Sequence, residues 1–212
     1  NNVYLTIDET IQSICEKYMQ KGVEDNNVLN KGVCIAMDVN TGAILAMVTT
    51  DGYDLNNPYE LSAKDKKKIK STPKKKQAEA ESAALSNMWR NKAVADTYMP
   101  GSVFKMCVAS AALEENLVND KTSFTCTGSI EVEGETIHCS NISGHGTQNF
   151  VEAISNSCNP AFIQIGQMLG AGKFRQYYQG FGFSDKTGLD PPGEADDEFW
   201  AEGKMGGVDL AV

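Results

Sequence analysis

The pair most able to do chemistry is Ser102 and Lys105, in the run Ser102-Val103-Phe104-Lys105. Residues i and i+3 share a helix face, so a hydroxyl and an amine would lie side by side. A serine is a weak nucleophile until a base takes its proton. A lysine whose charge is disfavoured by burial can be that base. The following run, SVFKMCVASAALEENL, is apolar nearly all round, which predicts a buried helix and a strongly depressed Lys105 pKa. A second S-x-x-K, from Ser71 to Lys74, sits beside Pro73 in a run of lysines, where nothing can desolvate its amine. Ser157-Cys158-Asn159 is the only S-x-N in the chain. It falls between one helix, expected from a Thr147 cap through Asn156, and another opened by Pro160. A second hydroxyl there can relay protons, and an amide can bind a substrate amide. The plainer reading is that Ser157 ends one helix while Asn159 caps the next.

A second constellation is made of sulfur and imidazole. Cys126 and Cys139 flank a hairpin, SIEV and ETIH joined at Glu133-Gly134. His145 follows between two glycines, and Cys158 lies inside the S-x-N motif. Three thiols and an imidazole suit a tetrahedral structural zinc, Cys126, Cys139, His145 and Cys158. His138 is the alternative ligand, although strand alternation turns it away from Cys139. A Cys139–Cys158 disulfide, a Cys126–Cys139 disulfide and free thiols remain open. Cys15, Cys34 and Cys107 read as core residues.

The elements that must position these groups read as mixed α and β. Residues 5–19 carry Ile7, Ile11, Ile14, Cys15 and Tyr18 at helical spacing, with Asp8 or Thr10 as cap. GVCIAMDV and AILAMVTT read as two strands joined at Asn40-Thr41-Gly42, where turn chemistry explains Asp38 better than a calcium loop does. Over 212 residues the composition is 41% hydrophobic and 22% charged, an ordinary globular balance. The net charge of −9 argues against nucleic acid as a partner. That charge is uneven. Residues 64–76 hold eight lysines and one aspartate, a local +7, which leaves −16 elsewhere. Residues 62–82 therefore read as a solvated, mobile lysine-rich insertion, with contact to an anionic polymer or lipid surface as a minor option. No apolar run is long enough to span a membrane.

The run RNKAVADTYMPGSVFK at residues 90–105 resembles the segment leading into the active serine of class B penicillin-binding proteins. So do LTID with Ile11-Gln12, DVNTGAILAM, SCNPAF and GFSDKTGLDPPGE, in order from about Val3 to Val212. The closest likeness is to sporulation, elongation and division transpeptidases of Gram-positive bacteria. The resemblance implies an α/β (α+β) penicillin-recognising serine transpeptidase fold, β-lactamase-like, with a central antiparallel sheet and helices. It implies acyl transfer on peptidoglycan stem peptides ending in D-Ala-D-Ala, acylation by β-lactams, and no cofactor for the chemistry. Ser102 would be the nucleophile, Lys105 its base, Ser157 the proton relay and Asn159 the substrate-binding amide. Met99 stands where the family often has Glu, and Val103 where Thr is common; neither disturbs the nucleophile, and both could alter β-lactam affinity.

The family's remaining element is a lysine-threonine/serine-glycine strand beside the serine. Lys186-Thr187-Gly188 has those letters but lies 29 residues after Ser157 in a Gly- and Pro-rich loop, matching a structural loop of the family. Residues 1–212 are therefore expected to be one transpeptidase domain whose C-terminal part, with the catalytic strand, is missing. The resemblance also implies an extracytoplasmic location, an anchor before Asn1 and a glycosyltransferase partner. The competing reading is a penicillin-binding sensor without turnover, or a zinc-organised scaffold of the same fold. A serine β-lactamase would need a water-activating carboxylate near Ser102, and Glu114 and Glu115 are over two turns away.

Overall fold

The computed structural model describes residues 4–29, 31–189, 193–196, 206 and 209. Part of the GFSDKTGLDPPGE motif and most of the closing GGVDLAV lie outside the described residues. Two compact units emerge, Asn1–Asp96 with Pro191–Ala195, and Thr97–Asp190 with Asp196–Val212.

The first unit opens with α1 (Glu9–Asp25), capped by Asp8, whose carboxylate accepts the Ile11 N–H at 3.0 Å. The helix runs past the expected Met19 end. It stops where Asn27 turns into the left-handed region and Val28 N–H returns to Val23 O. Strands β1 (Val33–Met37) and β2 (Ile44–Thr49) pair antiparallel, with Ile35 opposite Met47. Asp38 accepts from Asn40 N–H and from the Thr41 hydroxyl, so the turn, not a cation, employs it. Gln12 clamps α1 to the hairpin by donating to Met47 O and accepting from Met47 N–H.

The lysine-rich stretch is helical. Helix α2 (Ala63–Ser71) is capped by Ser62 and joined through a 3-10 turn to α3 (Gln77–Trp89), followed by the short α4 (Lys92–Ala95). Lysine is a good helix former, and α2 buries no residue, so its charge stays solvated.

The second unit carries the candidate site. A 3-10 turn at Gly101–Phe104 leads into α5 (Lys105–Glu114), which buries Val108, Ala109, Ala111 and Ala112 while exposing Met106 and Leu113. Strands β3 (Ser123–Cys126), β4 (Ser129–Val132), β5 (Glu135–His138) and β6 (Gly146–Asn149) form two ladders, β3 with β6 and β4 with β5. The described strands thus pair as three two-stranded antiparallel ladders, and no single central sheet is assembled among the described residues. Helices α6 (Phe150–Ser155) and α7 (Asn159–Gly180) follow, α7 kinking at Gly170. The sequence expectation of a Thr147 cap does not hold. Asn149 wins with a capping box, its side chain accepting Glu152 N–H while Glu152 accepts Asn149 N–H, and Thr147 stays in the β3–β6 ladder. Val108, Phe124, Phe150, Phe162, Ile163 and Ile165 centre the core of this unit, to which α5, α6 and α7 all contribute.

Two glycines set the hairpin against the loop that follows it. A Cβ on Gly128 would lie 2.0 Å from Ile142 O, and one on Gly144 would lie 2.4 Å from Cys126 O, both at positive φ. Backbone meets backbone there, so no side-chain movement can make room. Gly128→Ala is expected to destabilise the protein by about 2–4 kcal/mol, strain and overpacking acting together. Urea unfolding should show it, with exposed Gly52→Ala, where an added Cβ meets nothing within 4 Å, as the near-neutral control.

Candidate active site

Ser102 lies on the 3-10 turn and is exposed, while Lys105 begins α5 and is 1% exposed. The Lys105 N–H donates to Ser102 O. In a 3-10 turn residues i and i+3 eclipse, so the two side chains leave the backbone on one side. The two residues are thus brought together by backbone placement on a 3-10 turn, while the described hydrogen bonds of Lys105 Nζ go to Ser157 and Asn159 and not to Ser102.

A buried ammonium requires acceptors, and Lys105 finds three on one loop. Its Nζ donates to Ser157 O at 2.9 Å, Ser157 Oγ at 3.2 Å and Asn159 Oδ1 at 2.5 Å. The Phe162 ring lies with its centroid 5.4 Å from the same nitrogen. Burial pushes the Lys105 pKa down, opposed by the nearby Cys158 and Cys139 sulfurs when they are charged. The amine is held where proton loss is favoured.

The loop is shaped by the end of α6. Asn156 is its C-cap, Ser157 N–H bonds to Ile154 O and Cys158 N–H to Ala153 O, the two bonds of a Schellman motif. Ser157 therefore occupies the left-handed position at φ 47°, where glycine is the usual residue. Asparagine fills the corresponding positions after α1 and α5, at Asn27 and Asn116. A serine there is strained, and its hydroxyl accepts from Lys105 Nζ. Cys158 is the N-cap of α7 without a side-chain capping bond, and Pro160 sits in the first turn as expected. Asn159 is a helical residue and not the cap. Its Oδ1 takes Lys105, and its Nδ2 donates to His138 O at 2.9 Å, fixing the loop to the β4–β5 hairpin.

Cys126, Cys139, His145 and Cys158 converge, their ligand atoms all within 4.8 Å of one another. The three thiols are buried, and Cys139 Sγ lies 3.6 Å from His145 Nδ1. All six cysteines are unpaired. Burial raises Cys158 to about 11. Burial also opposes ionisation of Cys139, but the N–H groups of Asn141 and Asn159 outweigh it and draw that thiol below its ordinary value. His138 is exposed and outside the cluster, serving the site through its carbonyl oxygen alone. Cys15, Cys34 and Cys107 are half-buried.

The other two matches stay apart from this arrangement. Ser71 closes α2 by bonding Lys68 O, and Lys74 stands on an exposed 3-10 turn. Lys186 pairs with Asp196 at 2.7 Å, in a segment without strand structure. Two participants escaped the sequence reading. Phe162 looked like ordinary helix core, and Gln148 is a polar residue only 3% exposed on β6. Strand alternation between exposed Thr147 and half-buried Asn149 was the available signal for Gln148.

Replacing the strained serine separates backbone from hydroxyl. Ser157→Gly should melt at a higher temperature than Ser157→Ala, by about 1 kcal/mol in stability, because glycine relieves the left-handed penalty that alanine keeps. Both lose the hydroxyl, so thermal melting orders them by backbone strain alone.

Residues 32–210 match the penicillin-binding protein transpeptidase domain model. Stage V sporulation protein D of Bacillus subtilis is 33% identical over 209 residues, 98% of this chain and 29% of that protein. Peptidoglycan D,D-transpeptidase PbpA of Mycobacterium tuberculosis is 31% identical over 186 residues, 85% of this chain and 35% of that protein. The chain therefore spans about a third of the length of these relatives. The imipenem acyl-enzyme complex of penicillin-binding protein A from M. tuberculosis superposes with a TM-score of 0.65 at 29% identity, over 84% of this chain and 39% of that one. With the mixed helix and antiparallel-strand architecture already described, the family match makes this chain a member of the penicillin-binding protein transpeptidase family.

Proposed function

We propose that this chain carries the acylation half of a peptidoglycan D,D-transpeptidase site. The observation that supports it best is the buried Lys105, three residues after Ser102 and bonded to both Ser157 Oγ and Asn159 Oδ1. Ser102 Oγ attacks the carbonyl carbon of the penultimate D-alanine while its proton passes to neutral Lys105. The peptide C–N bond then breaks. The departing D-alanine nitrogen receives a proton through Ser157, leaving an ester on Ser102. The amine of a neighbouring stem peptide attacks that ester, its proton goes to Lys105, and the C–O bond breaks to restore the Ser102 hydroxyl. Asn159 has one Nδ2 hydrogen and one Oδ1 lone pair beyond the bonds already described, enough to meet a substrate amide. A β-lactam carbonyl would be attacked by the same serine, in keeping with the imipenem acyl-enzyme complex of penicillin-binding protein A from M. tuberculosis.

The wider setting belongs to the same proposal. Polymer cross-linking of this kind takes place outside the cytoplasm, so the protein works on the outer face of the membrane, held by a segment preceding Asn1. A glycosyltransferase would supply the strands, and a lysine-threonine/serine-glycine strand following Val212 would complete the oxyanion side of the site.

The sulfur cluster suits a structural zinc held by Cys126, Cys139, His145 and Cys158. Three soft thiols and an imidazole are its preferred donors, and Zn–S bonds of about 2.3 Å place tetrahedral ligands about 3.8 Å apart. Ligand atoms within 4.8 Å need only a small closure to reach that spacing. Such an ion would cross-link β3, the β4–β5 hairpin and the Ser157 loop, and would take no part in the acyl transfer.

Fluorescent penicillin should label the full-length protein and fail to label Ser102→Ala. Labelling should quicken as pH rises through the lowered Lys105 pKa, because only the neutral amine accepts the serine proton. A Ser102→Ala protein that still labels would sink the nucleophile assignment. Acyl-enzyme that a stem-peptide amine cannot resolve would favour the sensor reading.

Metal analysis of full-length protein purified without chelator should return one zinc per chain, lost in Cys139→Ser. Absence of metal from the unmodified protein would remove the zinc reading while leaving the acylation chemistry intact.

A further inference from the structure

Gln148 is the polar residue that neither the acyl transfer nor the four-ligand cluster accounts for. It sits on β6 opposite Phe124, three residues after His145, and is 3% exposed. Its Oε1 accepts from Asn156 Nδ2 at 3.0 Å, which ties it to the C-cap of α6, the residue before Ser157. Its Nε2 is fully buried and has no formed hydrogen bond. Buried amide donors are almost always paired, so an orphan of this kind calls for a missing acceptor. The Cys158 side chain is its neighbour, near enough to interact but not in the geometry of a formed hydrogen bond, and Oε1 already fixes the amide to Asn156 two residues before it. A neutral thiol is a weak acceptor. A metal-bound thiolate keeps residual charge and accepts N–H strongly, as the outer partners of metal ligands commonly exploit. A leucine or methionine could fill the same space with no buried donor of its own, since exposed Asn156 can turn its amide to water. The glutamine makes physical sense where Cys158 is a thiolate.

We infer that Gln148 is a positioning residue for the metal centre, donating Nε2–H to the metal-bound Cys158 sulfur while its Oε1 holds Asn156. The inference rests on the zinc reading proposed above and extends it to a residue outside the ligand set. One side chain then grips both sides of Ser157, through the cap residue before it and the ligand after it. Occupancy of the metal site is thereby connected to the left-handed conformation that aims Ser157 at Lys105.

The test uses full-length protein and three variants. Zinc affinity, measured by competition with a chromophoric chelator, should fall about 10–100-fold in Gln148→Leu. Gln148→Glu, which keeps an acceptor but sets a carboxylate against the sulfur, should fall at least as far. Asn156→Ala removes only the Oε1 partner and should stay within about threefold of the unmodified protein, below the loss expected for an outer metal partner. Cobalt substitution supplies a readout independent of activity, since the sulfur-to-cobalt charge-transfer band should shift in Gln148→Leu. The metal-free Gln148→Leu protein should melt no lower than metal-free unmodified protein, because removing a buried orphaned donor offsets the lost bond to exposed Asn156. Unchanged zinc affinity and an unchanged cobalt band in Gln148→Leu would overturn the assignment and spare the zinc reading. A lower metal-free melting temperature with unchanged affinity would make Gln148 a packing residue and also overturn it. An unmodified protein that binds neither zinc nor cobalt would overturn both.

Discussion

The burial of one amine governs the second unit. Lys105 is among the largest fully buried side chains, and an ammonium carried into a core is expensive unless acceptors meet it. Ser157 O, Ser157 Oγ and Asn159 Oδ1 meet it, all from a three-residue loop more than fifty positions away in sequence. The loop must arrive with its carbonyl and two side chains aimed the same way. Ordinary extended or helical backbone does not do this, and the Schellman turn with a left-handed serine does. The strain at Ser157 and the desolvation of Lys105 are therefore two parts of one arrangement. Each is unfavourable alone, and together they leave an amine that gives up its proton readily beside a hydroxyl that can carry one.

Holding a strained loop requires anchors on more than one side. From within, α6 and α7 flank it and contribute Ala153, Phe162 and Ile163 to the core. From the side, Asn159 Nδ2 reaches His138 O at the end of the β4–β5 hairpin. From beneath, Cys158 turns its sulfur toward Cys126, Cys139 and His145. The hairpin is itself fixed by the contact of Gly128 with the 142–144 segment and by Cys139 N–H bonding to Gly128 O. The sulfur cluster thus lies on the mechanical route between the hairpin and the loop.

What the sequence made legible divides along physical lines. Ser102 and Lys105 were visible because a spacing of three in an apolar run is a local fact. The β1–β2 hairpin was visible because alternation and turn residues are local too. The convergence of Cys126, Cys139, His145 and Cys158 could be anticipated because one short hairpin brings two of them together. The capping box at Asn149 was misplaced to Thr147, since both residues can cap and only competition between backbone donors decides. The helical character of the lysine stretch was hidden, because a helix without an apolar stripe has no periodic signature. Gln148 and Phe162 escaped for a different reason. Their importance comes from what tertiary packing sets beside them, a sulfur in one case and an ammonium in the other.

Residues 157–159 also explain why two such different constellations share one loop. Ser157 turns its carbonyl and hydroxyl to Lys105, Cys158 turns its sulfur to the cluster, and Asn159 divides its amide between Lys105 and the hairpin. Consecutive residues at a helix–loop–helix junction point in different directions, so three neighbours can serve separate networks without competing. The same adjacency means that none of the three can rotate alone. A displacement of Cys158 is transmitted through two peptide bonds to the atoms that solvate the buried amine. The sulfur cluster and the buried amine are therefore coupled by backbone geometry, even though no cluster side chain is among the hydrogen-bond acceptors described for Lys105.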